Sequence, residues 1–289
     1  MKQIKSGIWL IEAENKAHYP YSHSLYLEGK EPLIIDTGAG QALKDLAART
    51  EQVVISHYHR DHNTYNNLFT GASFSVHIND APGLESMDDF LQLSGLGLIE
   101  PEARRMITTQ INFSATKVDR YLSDGDYFDL GALKIRVIHL PGHTPGHCGF
   151  LIEEYGLIYA SDIDLTGFGP WYGNPTSDLN QFRLSIHRLL DMKPEILLTA
   201  HSAPVTRNIK QKLAAYEAVI DKRDQVILAF LKRKPATLEE ITDKKLIYRR
   251  HFGQEALRFF EETMIRKHLE NLLRIKLIAR SGDGLYFPA

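Results

Sequence analysis

The chain has 289 residues, 43% of them hydrophobic and 24% charged, with a formal net charge of −2. That length accommodates one large domain, or one with a small companion, and the near-average composition excludes collagenous, disordered and disulfide-rich architectures. A balance so close to zero supplies no global drive toward nucleic acid, and no run reaches the ~18–20 apolar residues of a membrane helix.

The opening MKQIKSGIWLIEAENK starts basic, but Glu12 and Glu14 interrupt it before an apolar stretch of secretory length, so no signal peptide is expected. The single cysteine, Cys148, cannot close an internal disulfide, which suits a reducing, cytoplasmic setting. Gly7–Ile11, Ser24–Glu28 and Pro32–Ile35 read as strands, with a hairpin turn at Gly29-Lys30. Leu43, Leu46 and Ala47 share one face of a helix over Gln41–Arg49. Val53-Val54-Ile55 is a continuous apolar run, as in a strand buried on both faces. Residues 82–116 carry helical character broken by Gly95, Gly97 and Pro101, and read as a helical insertion or lid. Further strands are expected over Leu133–Leu140, Cys148–Glu153, Gly156–Ala160 and Ile196–Thr199. Strands mixed with helices predict an α/β (α+β) layer structure rather than a barrel.

The texture changes after Val205. Residues 206–234 read as a connecting helix, with Leu213, Tyr216, Ile220, Ile227 and Phe230 at helical spacing. Thr237 and Glu240 form a capping-box pattern, a second amphipathic helix covers about 255–275, and Ser281-Gly282-Asp283-Gly284 reads as a hairpin turn. Helix, helix, helix, hairpin is the order of a winged helix, expected over 235–289. From 232 to the end the chain has 13 Lys/Arg against 8 Asp/Glu, a net of +5. Such a tail could attract phosphates, or it could cap the site or form a dimer surface. The mixing of acids with bases along its helices favours the second option, and a homodimer stays open.

The chemistry concentrates after the buried strand, in His57-Tyr58-His59-Arg60-Asp61-His62. On an extended chain His57 and His59 point the same way and can grip one ion. A turn at Arg60 would send Asp61 and His62 to a second. Imidazole and carboxylate suit zinc, manganese or iron, and the lack of cysteine ligands argues against a purely structural zinc site. Three more apolar strands lead to metal-competent residues: the run Ile138–His147, in which His139 reads as a packing residue, then Asp162, then His201. Ligands at the ends of several strands converge on one edge of a sheet.

With its LIIDTG segment at 33–38, HxHxDH, PGHTPGH, the strand-end Asp162 and the late His201, the chain resembles the metallo-β-lactamase superfamily over roughly residues 1–205. The resemblance implies an αββα sandwich catalytic domain with the site at the edge of its two sheets. It implies that His57, His59 and His143 hold one metal, that Asp61, His62 and His201 hold the other, and that Asp162 bridges them. The ions are expected to be two divalent metals per chain, zinc first, with manganese or iron as alternatives. The resemblance also implies a hydrolase, in which paired metals generate hydroxide near neutral pH and Asp61 orients it. An ester, thioester or lactone of small size is the expected substrate, with a nuclease using the basic tail as the alternative. His147 reads as a structural neighbour of the ligands, Asp36 as a brace for the metal loops, and Asp164 as the weaker candidate for the bridge. Trp171 and Tyr172, in the Gly- and aromatic-rich stretch 165–175, are the candidate substrate wall, with core packing as the competing role. Ser-Ala-Pro after His201 departs from the glycine usual in the family.

Overall fold

The computed structural model describes residues 1–111, 113–250 and 255–289. One sheet runs in chain order: β1 (Lys2–Lys5), β2 (Ile8–Ile11), β3 (Ser24–Leu27), β4 (Leu33–Ile35), β5 (Gln52–Ile55), β6 (Ser73–His77) and β7 (Arg120–Leu122). Its first four strands are antiparallel and its last four parallel, β4 belonging to both runs. The second sheet holds β8 (Tyr127–Asp129), β9 (Lys134–His139), β10 (Cys148–Ile152), β11 (Leu157–Tyr159) and β12 (Ile196–Leu198), in the order β12-β11-β10-β9-β8. Only the β11–β12 pairing is parallel there.

The period-two alternation of the strands builds the layers. Leu33 and Ile35 of β4, Ile135 and Val137 of β9, and Leu157 and Tyr159 of β11 meet in one apolar cluster between the sheets. The intervening Ile34 faces outward to a second cluster with Leu46, Leu84 and Phe90, while Ile158 faces a third with Phe182, Ile186 and Leu213. Helices α1 (Lys44–Ala47), α2 (Arg60–Asn63), α3 (Pro82–Glu85), α4 (Met87–Ser94) and α5 (Pro101–Gln110) accompany the first sheet. Helices α6 (Leu179–Met192) and α7 (Ile209–Leu231) cover the second. The result is the expected four-layer αββα sandwich.

Several expectations change in detail. The helix expected at Gln41–Arg49 is a 3-10 turn, Gly40–Leu43, followed by the single turn of α1. Residues 82–111 are helical, but the burial of Leu84, Phe90, Leu96 and Ile99 makes them part of the outer layer rather than a free lid. Helix α6 adds to the expected elements: Asp178 caps it by accepting from the Asn180 and Gln181 amides.

After Leu231 come α8 (Leu238–Thr242), α9 (Glu255–Arg274) and the hairpin of β13 (Ile278–Arg280) and β14 (Tyr286–Pro288). The capping box is present: Thr237 Oγ1 accepts from the Glu240 amide at 3.2 Å, and Glu240 accepts from the Thr237 amide at 3.0 Å. Ile241, Met264, Leu269, Ile278 and Tyr286 bury themselves in the same apolar cluster as α6, α7 and the outer face of the second sheet. Among the described residues, no helix is long and apolar enough to cross a membrane. His251, to which no role is assigned, lies outside the described residues.

Candidate metal centre

Four strand ends deliver the polar side chains. β5 ends at Ile55, and His59 is still extended (φ −63°, ψ 144°) before α2 begins at Arg60. The chain therefore turns where the motif requires it to, separating His57 and His59 from Asp61 and His62. His143 stands in the loop between β9 and β10, Asp162 follows β11, and His201 follows β12.

Their metal-competent atoms fall into two groups: His57, His59, His143 and Asp162, and Asp61, His62 and His201. His143 Nε2 lies 3.2 Å from His57 Nε2, 2.8 Å from His59 Nδ1 and 3.2 Å from Asp162 Oδ2. The other oxygen of Asp162, Oδ1, lies 3.0 Å from His62 Nε2 and 3.4 Å from His201 Nε2. Asp61 Oδ2 completes the second group, 3.3 Å from His201 Nε2 and 3.7 Å from His62 Nε2. One carboxylate thus faces both clusters, an oxygen to each.

The outer ring atoms are secured. His57 Nδ1 is 3.0 Å from Ser56 Oγ, and His62 Nδ1 donates to Asp36 Oδ2 at 2.8 Å. His143 Nδ1 donates to the Trp171 carbonyl at 2.8 Å, and His201 Nδ1 to the Ala17 carbonyl at 2.7 Å. His59 Nε2 is 2.6 Å from the Asn174 amide group. Each bond fixes its ring with the remaining nitrogen pointing inward.

The donor set suits divalent cations. His62 Nε2 and Asp162 Oδ1 are buried without an aligned hydrogen bond although they lie 3.0 Å apart, a costly arrangement unless a further group satisfies both. Burial holds His57 and His59 well below the ordinary imidazole pKa, so both are neutral donors. Burial works against charge on His62 as well, yet the facing carboxylates of Asp162, Asp36 and Asp61 outweigh it and push its pKa up to about 10. Here the carboxylates draw positive charge to the place where a cation would neutralise them. Five imidazoles and two carboxylates fit zinc, manganese or iron.

The expected neighbours also have defined places. His147 is buried, with a pKa held down to about 3 by burial, and its neutral Nε2 accepts the Asp162 amide at 3.1 Å. It stands outside both groups. Asp164 accepts from the Thr166 amide and hydroxyl. Asp36 binds the Ser56 amide and hydroxyl and the Tyr159 hydroxyl. Trp171 is half-buried, its ring 5.4 Å from that of His59 and 5.5 Å from that of His143. Tyr172 has no exposed surface, and its hydroxyl lies 2.7 Å from His268 Nε2 and accepts from Arg223 at 2.9 Å. Of the two expected wall residues, Tyr172 is therefore a core residue.

Two supports lie outside the sequence motifs. Asn174 is in the singled-out loop, but nothing in its type announces contact with His59. Asp80 accepts from the Tyr58 amide, the Thr144 hydroxyl and the Gly146 amide, tying the HxHxDH loop to the PGHTPGH loop. Close packing of backbone adds a further constraint: a Cβ on Gly38 would overlap the Asp61 carbonyl oxygen and Ser22 Oγ.

A family model described as the metallo-beta-lactamase superfamily matches residues 20–201, the span that contains all seven residues of the two groups. The chain belongs to that superfamily. An atrochrysone carboxyl ACP thioesterase of Claviceps purpurea (strain 20.1) is 24% identical over 99% of this chain and 87% of its own length. An acyl-coenzyme A thioesterase of Homo sapiens is 23% identical over 66% of this chain and 75% of its own. The crystal structure of a metallo-beta-lactamase family protein from Thermus thermophilus superposes with a TM-score of 0.77 at 23% identity, covering 99% of this chain and all of that one. The likeness of fold to that chain extends through the C-terminal elements.

Proposed function

We propose that this hydrolase holds two divalent ions and cleaves an ester, thioester or lactone bond in a small-molecule substrate. The observation that carries the reading is Asp162, whose two oxygens face two separate groups of three side chains. His57, His59 and His143 would hold one ion, Asp61, His62 and His201 the other, and Asp162 would reach both. Zinc is the first choice. Bound in such a pair, divalent ions supply Lewis acidity and bring the pKa of a water toward neutrality.

The chain supplies the geometry and the proton handling. Asp61 presents Oδ2 among the second group and would accept a hydrogen bond from an attacking water and orient it. His57 and His59, kept neutral by burial, add no competing positive charge. Trp171, beside His59 and His143, is the wall against which the acyl part of a substrate would lie. The thioesterase names of the relatives support the thioester branch of this class.

A small molecule is preferred over nucleic acid because several of the tail cations are engaged. Lys267 Nζ donates to the Pro175 and Ser177 carbonyls at 3.1 and 2.6 Å, and Arg266 pairs with Glu262. A cytoplasmic location belongs to the same reading. The test is a panel of acyl-thioesters, aryl esters, lactones, a β-lactam and single-stranded RNA, assayed with zinc-loaded and chelator-treated protein. Turnover of a thioester, ester or lactone that disappears with the metal is the expected result; cleavage of RNA alone would move the assignment to nucleases.

A further inference from the structure

We propose that the C-terminal segment is a positioning element for one half of the metal centre, acting through Tyr248, Lys267 and Glu261 on the loop that braces His143 and His59. This rests on the two-group reading above.

The loop 165–177 reaches the His57–His59–His143 group at three points. The Trp171 carbonyl accepts from His143 Nδ1, Asn174 lies 2.6 Å from His59 Nε2, and Ser177 Oγ donates to the His143 carbonyl at 2.7 Å. The second group is braced from elsewhere: the outer nitrogen of His62 is held by Asp36, and that of His201 by the Ala17 carbonyl. The loop therefore braces one group and not the other.

The same loop is fastened from the other side by the C-terminal elements. The Trp171 indole N–H donates to the Tyr248 hydroxyl at 2.7 Å, and the Phe260 ring lies 5.3 Å from that of Trp171. Lys267 spans the Pro175 and Ser177 carbonyls. Tyr248 is itself set by Glu261, a fully buried carboxylate on α9 that accepts from the Ile247 and Tyr248 amides at 3.0 and 2.8 Å. The contacts form two short chains: Glu261 to Tyr248 to Trp171 to His143, and Lys267 to Ser177 to His143. A buried carboxylate spent on two backbone amides costs desolvation, which its hydrogen bonds offset only while the segment 246–248 keeps its place. The expected consequence is an affinity for metal at one group that depends on residues more than 100 positions later in the chain.

The test is zinc affinity by chelator competition on the full chain, in two backgrounds. His201→Ala weakens the second group and leaves the first to be read; His59→Ala does the reverse. Adding Tyr248→Phe, which deletes one oxygen, should raise the zinc Kd about tenfold in the His201→Ala background and leave it within about twofold in the His59→Ala background. Lys267→Met should act in the same direction, with Lys267→Arg recovering most of the affinity. Should Lys267→Met fail to fold, Tyr248→Phe decides alone. An equal effect in both backgrounds, or none in either, overturns the proposal. A wild-type chain that takes up a single ion refutes the two-metal reading instead, and the positioning claim still stands or falls on the Kd measured in the His201→Ala background.

Discussion

The Asp36 carboxylate, wholly buried, accepts a 2.8 Å hydrogen bond from Nδ1 of His62 through the same oxygen that accepts the Tyr159 hydroxyl at 3.0 Å. Asp36 thus joins the end of β4 to β11 of the other sheet and to a candidate ligand on α2. Asp36→Asn replaces an acceptor-only group with an amide, one end of which must turn a donor toward these partners. Metal affinity is expected to fall by roughly 10–100-fold, read by chelator competition. Wild-type affinity in that variant would remove Asp36 from the support of the centre.

Elemental analysis of protein purified without chelator should return close to two equivalents of metal, zinc first. Chelation should abolish hydrolysis and lower the thermal midpoint, since an ion that binds only the folded chain stabilises it by mass action. Asp162→Ala should release both ions more readily than His147→Ala, because Asp162 faces both groups and His147 touches that carboxylate's residue only at its backbone amide.

Tyr172→Phe should act on stability. Its hydroxyl sits between His268 and Arg223, and removing it leaves the buried His268 Nε2 without that partner, at a cost of about 1–3 kcal/mol. Urea denaturation measures this. The competing outcome, an altered KM with unchanged stability, would return Tyr172 to the substrate wall. Trp171→Ala, by contrast, should change KM or kcat on the true substrate.

Gly38→Ala introduces a Cβ where the Asp61 carbonyl oxygen and Ser22 Oγ already sit. Relief requires the Asp61 backbone to move, so the variant should lose about 1–3 kcal/mol of stability together with hydrolytic rate. A variant as stable and as active as wild type would show that the loop accommodates the methyl group.

Single-stranded RNA should bind weakly, with affinity lost between about 50 and 200 mM salt. Neutralising Arg249, Arg250 and Arg266 should change little else. Tight, salt-sensitive binding that depends on these three would favour the nuclease reading.

The sequence by itself determined the layers and the site's composition. The continuous apolar runs of β4 and β11 encode strands buried on both faces, and the alternation in β9 encodes which of its faces is buried. HxHxDH was legible as a local motif after a buried strand, and Asp162 and His201 by strand-end placement, whereas His143 was chosen among its neighbouring histidines by the resemblance to the superfamily. The turn at Arg60 that parts His59 from Asp61 is such a local feature. Only the tertiary structure decided the rest. Tyr172 and Trp171 are adjacent in an aromatic-rich loop, yet one is sealed in the core and the other stands beside two histidines, since each meets partners distant in the chain. Asn174, Asp80, Tyr248, Glu261 and Lys267 show no sequence signature, because a single polar side chain takes its role from the atom it reaches in the folded state. Those contacts span long sequence separations and arise only when the two sheets and the C-terminal helices pack together.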